Sequence, residues 1–224
     1  MTIVRGRRAK VRHGSSARGP GLVLAAGLVA VALPVVGGCP GPSVGGGGAG
    51  ASGPACPLEF FGDPSAAPEL ELLTVDAASV GSALSDGGGI ELVFPPQGGR
   101  VVFAGVRVKN FDACRVQLTG SLRDTASNKI VFDSRTVNLA PRDGGEWVGS
   151  VDDDISTFAN IPVCPNQWAS VDGFGVPMQL ELELRARDGQ LLERVIDVVP
   201  FCAAGDDECL CQCKEGYVLG EVCS

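Results

Sequence analysis

Met178-Gln-Leu-Glu-Leu-Glu-Leu-Arg-Ala-Arg187 is the stretch on which the fold turns. Met178, Leu180, Leu182, Leu184 and Ala186 fall on one side of a period-two chain, and Gln179, Glu181, Glu183, Arg185 and Arg187 on the other. That alternation belongs to a strand with one face in a core and one in water. Asp188-Gly189-Gln190 follows, then a second apolar-rich run, Leu191–Val199, so the two form an antiparallel hairpin. A three-residue loop, 188–190, sets Leu182 opposite Ile196, Leu180 opposite Val198 and Arg185 opposite Glu193. A two-residue loop sets Leu180 against Asp197, so the three-residue register is the expected one.

The same signal recurs upstream. Val102, Ala104, Val106 and Val108 alternate through Arg100–Lys109. Val116, Leu118 and Leu122 do so through Val116–Arg123, with Gln117, Thr119, Ser121 and Arg123 outward. The polar turn 124–129 leads to Ile130–Leu139, and Pro141-Arg142-Asp143-Gly144-Gly145 leads to Trp147–Val151. Glu69–Val75 and Ile90–Phe94 complete a set of roughly seven to nine short strands, the layout of an all-β, antiparallel β-sandwich over residues 58–201. No stretch before Pro200 sustains helical periodicity, and 152–161 has room for a turn or two. At about 140 residues the domain buries a core without help from a metal. In general architecture it is similar to immunoglobulin-like sandwiches. The cysteine–tryptophan spacing of true immunoglobulin domains is absent, because Trp147 follows Cys114 by 33 residues. A Cys114–Cys164 bond inside the sandwich is one candidate pairing.

The N-terminal 38 residues have another character. A basic, acid-free segment (Arg5, Arg7, Arg8, Lys10, Arg12, Arg18) precedes the apolar run Leu22–Val36 and then Gly37-Gly38-Cys39. As a helix the apolar run reaches only about 22 Å, short of a hydrocarbon core of roughly 30 Å. Its Ala/Gly content, Pro34 and small-residue ending fit a signal peptide rather than a spanning helix. The layout resembles the signal peptide and lipobox of bacterial lipoproteins, with Val36-Gly37-Gly38-Cys39 at the cleavage site. Two positions depart from the common pattern: Val36 stands where Leu is usual, and Gly37 where Ala, Ser or Thr is commoner. The resemblance implies cleavage before Cys39, diacylglycerol on its sulfur, and a protein held on the cell envelope, on the outer membrane rather than the inner. Its domain would then be periplasmic or exposed on the cell surface. Two acyl chains suffice for stable anchoring where one does not. Arg7-Arg8 matches a twin-arginine signal only in that pair, and the basic leader accounts for it equally well.

Residues 40–55, PGPSVGGGGAGASGPA, form a tether within the segment 39–57, with a reach of roughly 20–25 Å. Its Gly45-x-Gly47-x-x-Gly50 lacks the preceding strand and following helix of a dinucleotide site. All 26 acidic residues follow Cys39 while six of the 18 basic ones precede it, so the chain from Cys39 onward carries −14. This excludes nucleic acid as an expected partner and offers anionic lipid no second hold.

Nine cysteines less Cys39 leave eight: Cys56, Cys114, Cys164, Cys202, Cys209, Cys211, Cys213 and Cys223. An even set in an exported chain reads as disulfides. Zinc held by the cysteines of 209–223 is the rival reading, and the missing C-x-x-C spacing weighs against it. Within the Cys-rich tail, 202–224, Cys211-x-Cys213-x-x-Gly216-Tyr217-x₅-Cys223 resembles the C-terminal half of an EGF-like module. That resemblance implies a Cys213–Cys223 bond. A stapled tail that locks the C-terminus is the simpler reading of the same residues.

The lone histidine, His13, lies in the leader, which excludes Ser–His and Cys–His catalysis and histidine-ligated zinc from the domain. No G-x-S-x-G or Walker A motif occurs. Asp152-Asp153-Asp154 offers hard oxygen ligands for calcium, but in no EF-hand spacing; a solvated turn with a helix N-cap explains it without an ion. No catalytic residue, cofactor or metal is expected. The expected role is a lipid-anchored, non-catalytic module that binds an envelope or extracellular protein or glycan, or takes a structural place in the envelope. The alternative is a carboxylate-dependent hydrolase acting on envelope or extracellular glycans, which needs two acids in a cleft. The Ala/Gly/Arg/Val bias is similar to that of lipoproteins from bacteria with GC-rich genomes.

Overall fold

The computed structural model describes residues 60–223. Eleven strands build two facing sheets: β1 (Glu69–Val75), β2 (Gly81–Ala83), β3 (Gly88–Glu91), β4 (Arg100–Lys109), β5 (Val116–Arg123), β6 (Ile130–Val137), β7 (Ala140–Arg142), β8 (Trp147–Gly149), β9 (Ala159–Cys164), β10 (Met178–Arg185) and β11 (Leu191–Phe201). One sheet runs β2-β1-β4-β8-β7, with β9 also paired to β4; the other runs β3-β11-β10-β5-β6. The fold is the expected all-β sandwich. It is not wholly antiparallel, since β3 lies parallel to β11 along Val198–Phe201. A short helix, α1 (Asp207–Gln212), follows in the tail.

Alternation predicts the buried faces correctly. Met178, Leu180, Leu182, Leu184 and Ala186 are all buried, opposite Val116, Leu118 and Leu122 of β5 on the same face. They meet Val102, Ala104, Val106 and Val108 of β4 in one core. Close approach of the sheets is set at Gly120, where a Cβ would stand 2.7 Å from the Ala159 Cβ and 3.0 Å from Ile161 Cδ1. β4 is buried on both faces. Its other side, Val101 and Phe103, joins Leu73, Val75, Val93 and Phe158 in a second, smaller apolar cluster.

The hairpin register departs from the expectation by two residues. Leu180 faces Ile196, Met178 faces Val198 and Arg185 faces Leu191. The loop is Arg187-Asp188-Gly189, closed by Ala186 N–H to Gln190 O at 2.8 Å and Gly189 N–H to Ala186 O at 3.1 Å. Gly189 has φ 94° and so takes the left-handed third position of the loop, which a loop over 188–190 would give to Gln190. A slip of two keeps every side chain on its face, so the core was right although each cross-strand partner was wrong.

Some expected segments shift. The strand expected at Ile90–Phe94 is β3, Gly88–Glu91, with Val93 bridging Val101. Ile130–Leu139 ends at Val137, and Trp147–Val151 at Gly149. The expected turn 141–145 begins as β7 and tightens into a single 3-10 turn at Asp143–Gly145. β9 forms within and beyond the segment expected to hold a turn or two. The chain enters the sandwich where Phe61 and Phe111 exchange backbone hydrogen bonds of 3.0 and 3.1 Å, just past the Lys109 end of β4. The tail docks at the Arg100 end, a strand length of about 33 Å away.

Candidate functional site

Side-chain chemistry concentrates where the Cys-rich tail meets the sandwich. Arg100, 5% exposed, donates from Nη1 to Asp206 Oδ2 at 2.7 Å, from Nη2 to Asp206 Oδ1 at 3.0 Å, and from Nε to Gln212 Oε1 at 3.1 Å. The Phe94 ring lies 5.2 Å from its guanidinium carbon. Asp206 also caps α1 by accepting from Cys209 N–H at 2.9 Å. A bidentate pair of this kind fixes direction as well as distance, so one arginine orients the whole tail.

Cys164 at the end of β9 is bonded to Cys213, Cys202 to Cys209, and Cys211 to Cys223. Cys114 is disulfide-bonded too. Neither pairing singled out in the sequence forms: Cys164 reaches Cys213 rather than Cys114, and Cys223 takes Cys211 rather than Cys213. The reason is position. Cys164 is the register partner of Arg100, so it stands beside the ion pair that docks α1 and brings Cys213 against it. The bridge that the EGF-like resemblance implies is therefore replaced by one that fastens the tail to the sandwich. The Cys202, Cys209 and Cys213 sulfurs lie within 4.8 Å of one another because two bridges pack together; as disulfides they offer no thiolate to zinc. Cys39 and Cys56 lie outside the described residues.

Two of the three acids in the run have separate tasks. Asp154 caps the 3-10 turn Ile155–Thr157, accepting from Ser156 N–H at 3.1 Å and Ser156 Oγ at 2.6 Å. Asp152 accepts from Arg142 Nη1 at 2.6 Å and Nη2 at 3.1 Å, and Arg142 Nη1 also donates to Ser150 O. Asp153 is exposed. Arg142, Asp152 and Asp153, with Ala140, Pro141, Asp143 and Val151, line a depression of about 370 Å³. Two of the three carboxylates thus have structural partners, as the capped-turn reading requires.

The tryptophans do not form an exposed aromatic cluster. Trp168 is fully buried in the main core. Trp147 is 9% exposed beneath Arg107 and Lys109, each 5.0 Å from its ring centre. Arg107 in turn pairs with Glu71 and Asp143, and Lys109 with Glu69, so this sheet face is a ladder of opposite charges. Hydrogen bonding to Glu71, then to Asp143, raises the Arg107 pKa. Asp124 is held below the usual carboxylate range chiefly by the Ser127 hydroxyl, and Asp63 by Ser65. Both acids are stabilised in the charged form, the opposite of what a general acid needs.

No protein-family model, curated protein or solved structure matches this chain. No described helix is long and apolar enough to cross a membrane. Sequence reasoning missed Arg100. Its only signal was a basic residue opening a strand whose next six residues, Val101–Val106, carry no polar side chain, where a buried charge must find a partner.

Proposed function

We propose that the chain is an exported lipoprotein, anchored through Cys39 to a bacterial envelope membrane, whose sandwich serves as a non-catalytic interaction or structural module. The observation that carries the exported address is the state of the cysteines: all seven in the described residues are disulfide-bonded. Structural disulfides persist in oxidising compartments and are rare where glutathione keeps thiols reduced. The leader ending in Gly37-Gly38-Cys39 supports the anchor, and the Gly/Pro/Ser segment after it supplies reach.

A non-catalytic role is favoured by the way charged groups are spent. Arg100, Arg107 and Asp206 hold parts of the fold to one another, and Arg142 and Asp152, in the depression they line, are paired with each other. Cys39→Ser with membrane fractionation and acyl labelling tests the anchor. Loss of label and release to the soluble envelope fraction is expected; unchanged membrane retention defeats the reading.

A further inference from the structure

Two disulfides share one corner of the molecule, and solvent reaches them unequally. The Cys202, Cys209 and Cys213 sulfurs lie within 4.8 Å of one another, and Cys213 carries Cys164 as its bridge partner. Cys209 and Cys213 are 0% exposed and Cys164 4%. Cys202, just past the end of β11, is half-buried. A reductant arriving from solvent therefore meets the Cys202–Cys209 bridge, at Cys202, while the Cys164–Cys213 bridge stays covered. Exchange requires a thiolate beside a disulfide, and here each bridge stands beside the other.

We infer that the two bridges form a thiol–disulfide relay: opening Cys202–Cys209 at its accessible sulfur passes the break inward and unfastens the tail from β9. A dithiol supplies the two electrons. One of its thiolates attacks Cys202 Sγ, forms a mixed disulfide there and expels the Cys209 thiolate. That thiolate, within 4.8 Å of Cys213 Sγ, attacks it; the Cys209–Cys213 bond forms and Cys164 leaves as a thiolate. The second thiol of the reductant then attacks the mixed disulfide and expels Cys202. The reductant departs as a disulfide, and its two protons end on Cys164 and Cys202.

The new bond suits the backbone already in place. Cys213 N–H donates to Cys209 O at 3.0 Å, so the two residues stand one helical turn apart. Cα atoms four residues apart in a helix are separated by about 6 Å, inside the range a disulfide spans. Both original bonds tie the α1 segment to a strand end, at β9 and just past β11. The new one ties that segment only to itself. What then joins tail to sandwich is the main chain, the Arg100–Asp206 pair and hydrogen bonds such as Asn166 Nδ2 to Lys214 O. The Cys211–Cys223 bridge lies outside the cluster and takes no part. None of this depends on the lipid anchor.

Partial reduction of the purified full-length protein tests the relay. The protein is treated briefly with limiting dithiothreitol, quenched in acid, alkylated and mapped by tandem mass spectrometry. Cys164 and Cys202 should carry label together, with Cys209 and Cys213 unlabelled and joined. Label on Cys202 and Cys209 with Cys164 unlabelled overturns the inference, and so does label on Cys164 and Cys213 together. The double variant Cys202→Ala, Cys209→Ala removes the point of entry, so labelling of Cys164 should slow roughly tenfold or more. If the Cys202–Cys209 bridge only stiffens the tail, the same variant loosens it and labelling of Cys164 speeds up instead. An unchanged or faster rate therefore also overturns the relay. Should the variant lose the wild-type circular dichroism, the label map of the unmodified protein decides alone.

Discussion

The sandwich and its C-terminal tail are held by different physics. Between the sheets the forces are non-directional: Leu118, Leu122, Leu180 and Leu182 are buried to the last ångström, and many apolar contacts share the work. The tail has six helical residues and few apolar side chains of its own to bury. It is held instead by bonds of fixed direction, namely the Arg100–Asp206 pair and the Cys164–Cys213 and Cys202–Cys209 bridges. A region too small to form a core substitutes cross-links for area. Damage should accordingly spread in the sandwich and stay local in the tail, except where a tail bond is rooted in a strand.

Replacing both Cys164 and Cys213 by alanine should have the largest effect. The bridge spans 49 residues of sequence, and opening a loop of that size costs about 4 kcal/mol. Urea unfolding checks the magnitude, and hydrogen exchange at 206–213 should show the tail released before the strands. If those amides stay protected, the arginine clamp and the Cys202–Cys209 bridge suffice to hold the tail. Leu180→Ala should cost about 3 kcal/mol, with tail and sandwich unfolding in a single transition. Separate transitions would show that the two regions are less coupled than the bridge implies. Arg100→Ala removes the partner of Asp206, and because Asp206 is partly exposed the cost should fall below the roughly 3–5 kcal/mol of a fully buried broken pair, at about 2 kcal/mol. Exchange should rise first in α1.

Asp124→Asn is the smallest and touches only the sandwich, at the β5–β6 turn. Asp124 accepts from Ala126 N–H at 2.9 Å and from the Ser127 hydroxyl. Its pKa is lowered in the folded state, so its charged form adds stability above the ordinary carboxylate pKa of about 4. That stability is lost as pH falls through the lowered value. The variant should be less stable by about 1 kcal/mol at neutral pH, and its stability should converge with wild type in acid. A constant gap at all pH values would assign the turn's stability to something other than this carboxylate.

What the sequence disclosed follows from which features are local. Alternation in 178–187 and 100–109 is a property of consecutive residues, and it placed the buried faces of β10 and β4. The cap at 152–154 was equally legible, as an acid one residue before a tight turn. β9 was not. Ala-Asn-Ile-Pro-Val-Cys carries no long alternation and includes a proline; it is a strand because β4 offers it an edge. The parallel seat of β3 beside β11 is likewise invisible in Gly-Gly-Ile-Glu. Bridges were the least legible, since the choice among eight cysteines depends on where Arg100 sets the tail. The hairpin loop shows the finest limit, because one glycine's preference for positive φ moved every partner by two.

The entry at Phe61–Phe111 and the docked tail lie at opposite ends of β4, and this has a mechanical consequence. A pull applied between Phe61 and the tail would run lengthwise along β4. Its hydrogen bonds to β1 and β9 lie across that direction. They are loaded in shear, so many must yield together before the strand slides. The Cys164–Cys213 bond ties the far end of that path to the neighbouring strand, and the same geometry that orients the tail makes the domain a stiff link in tension.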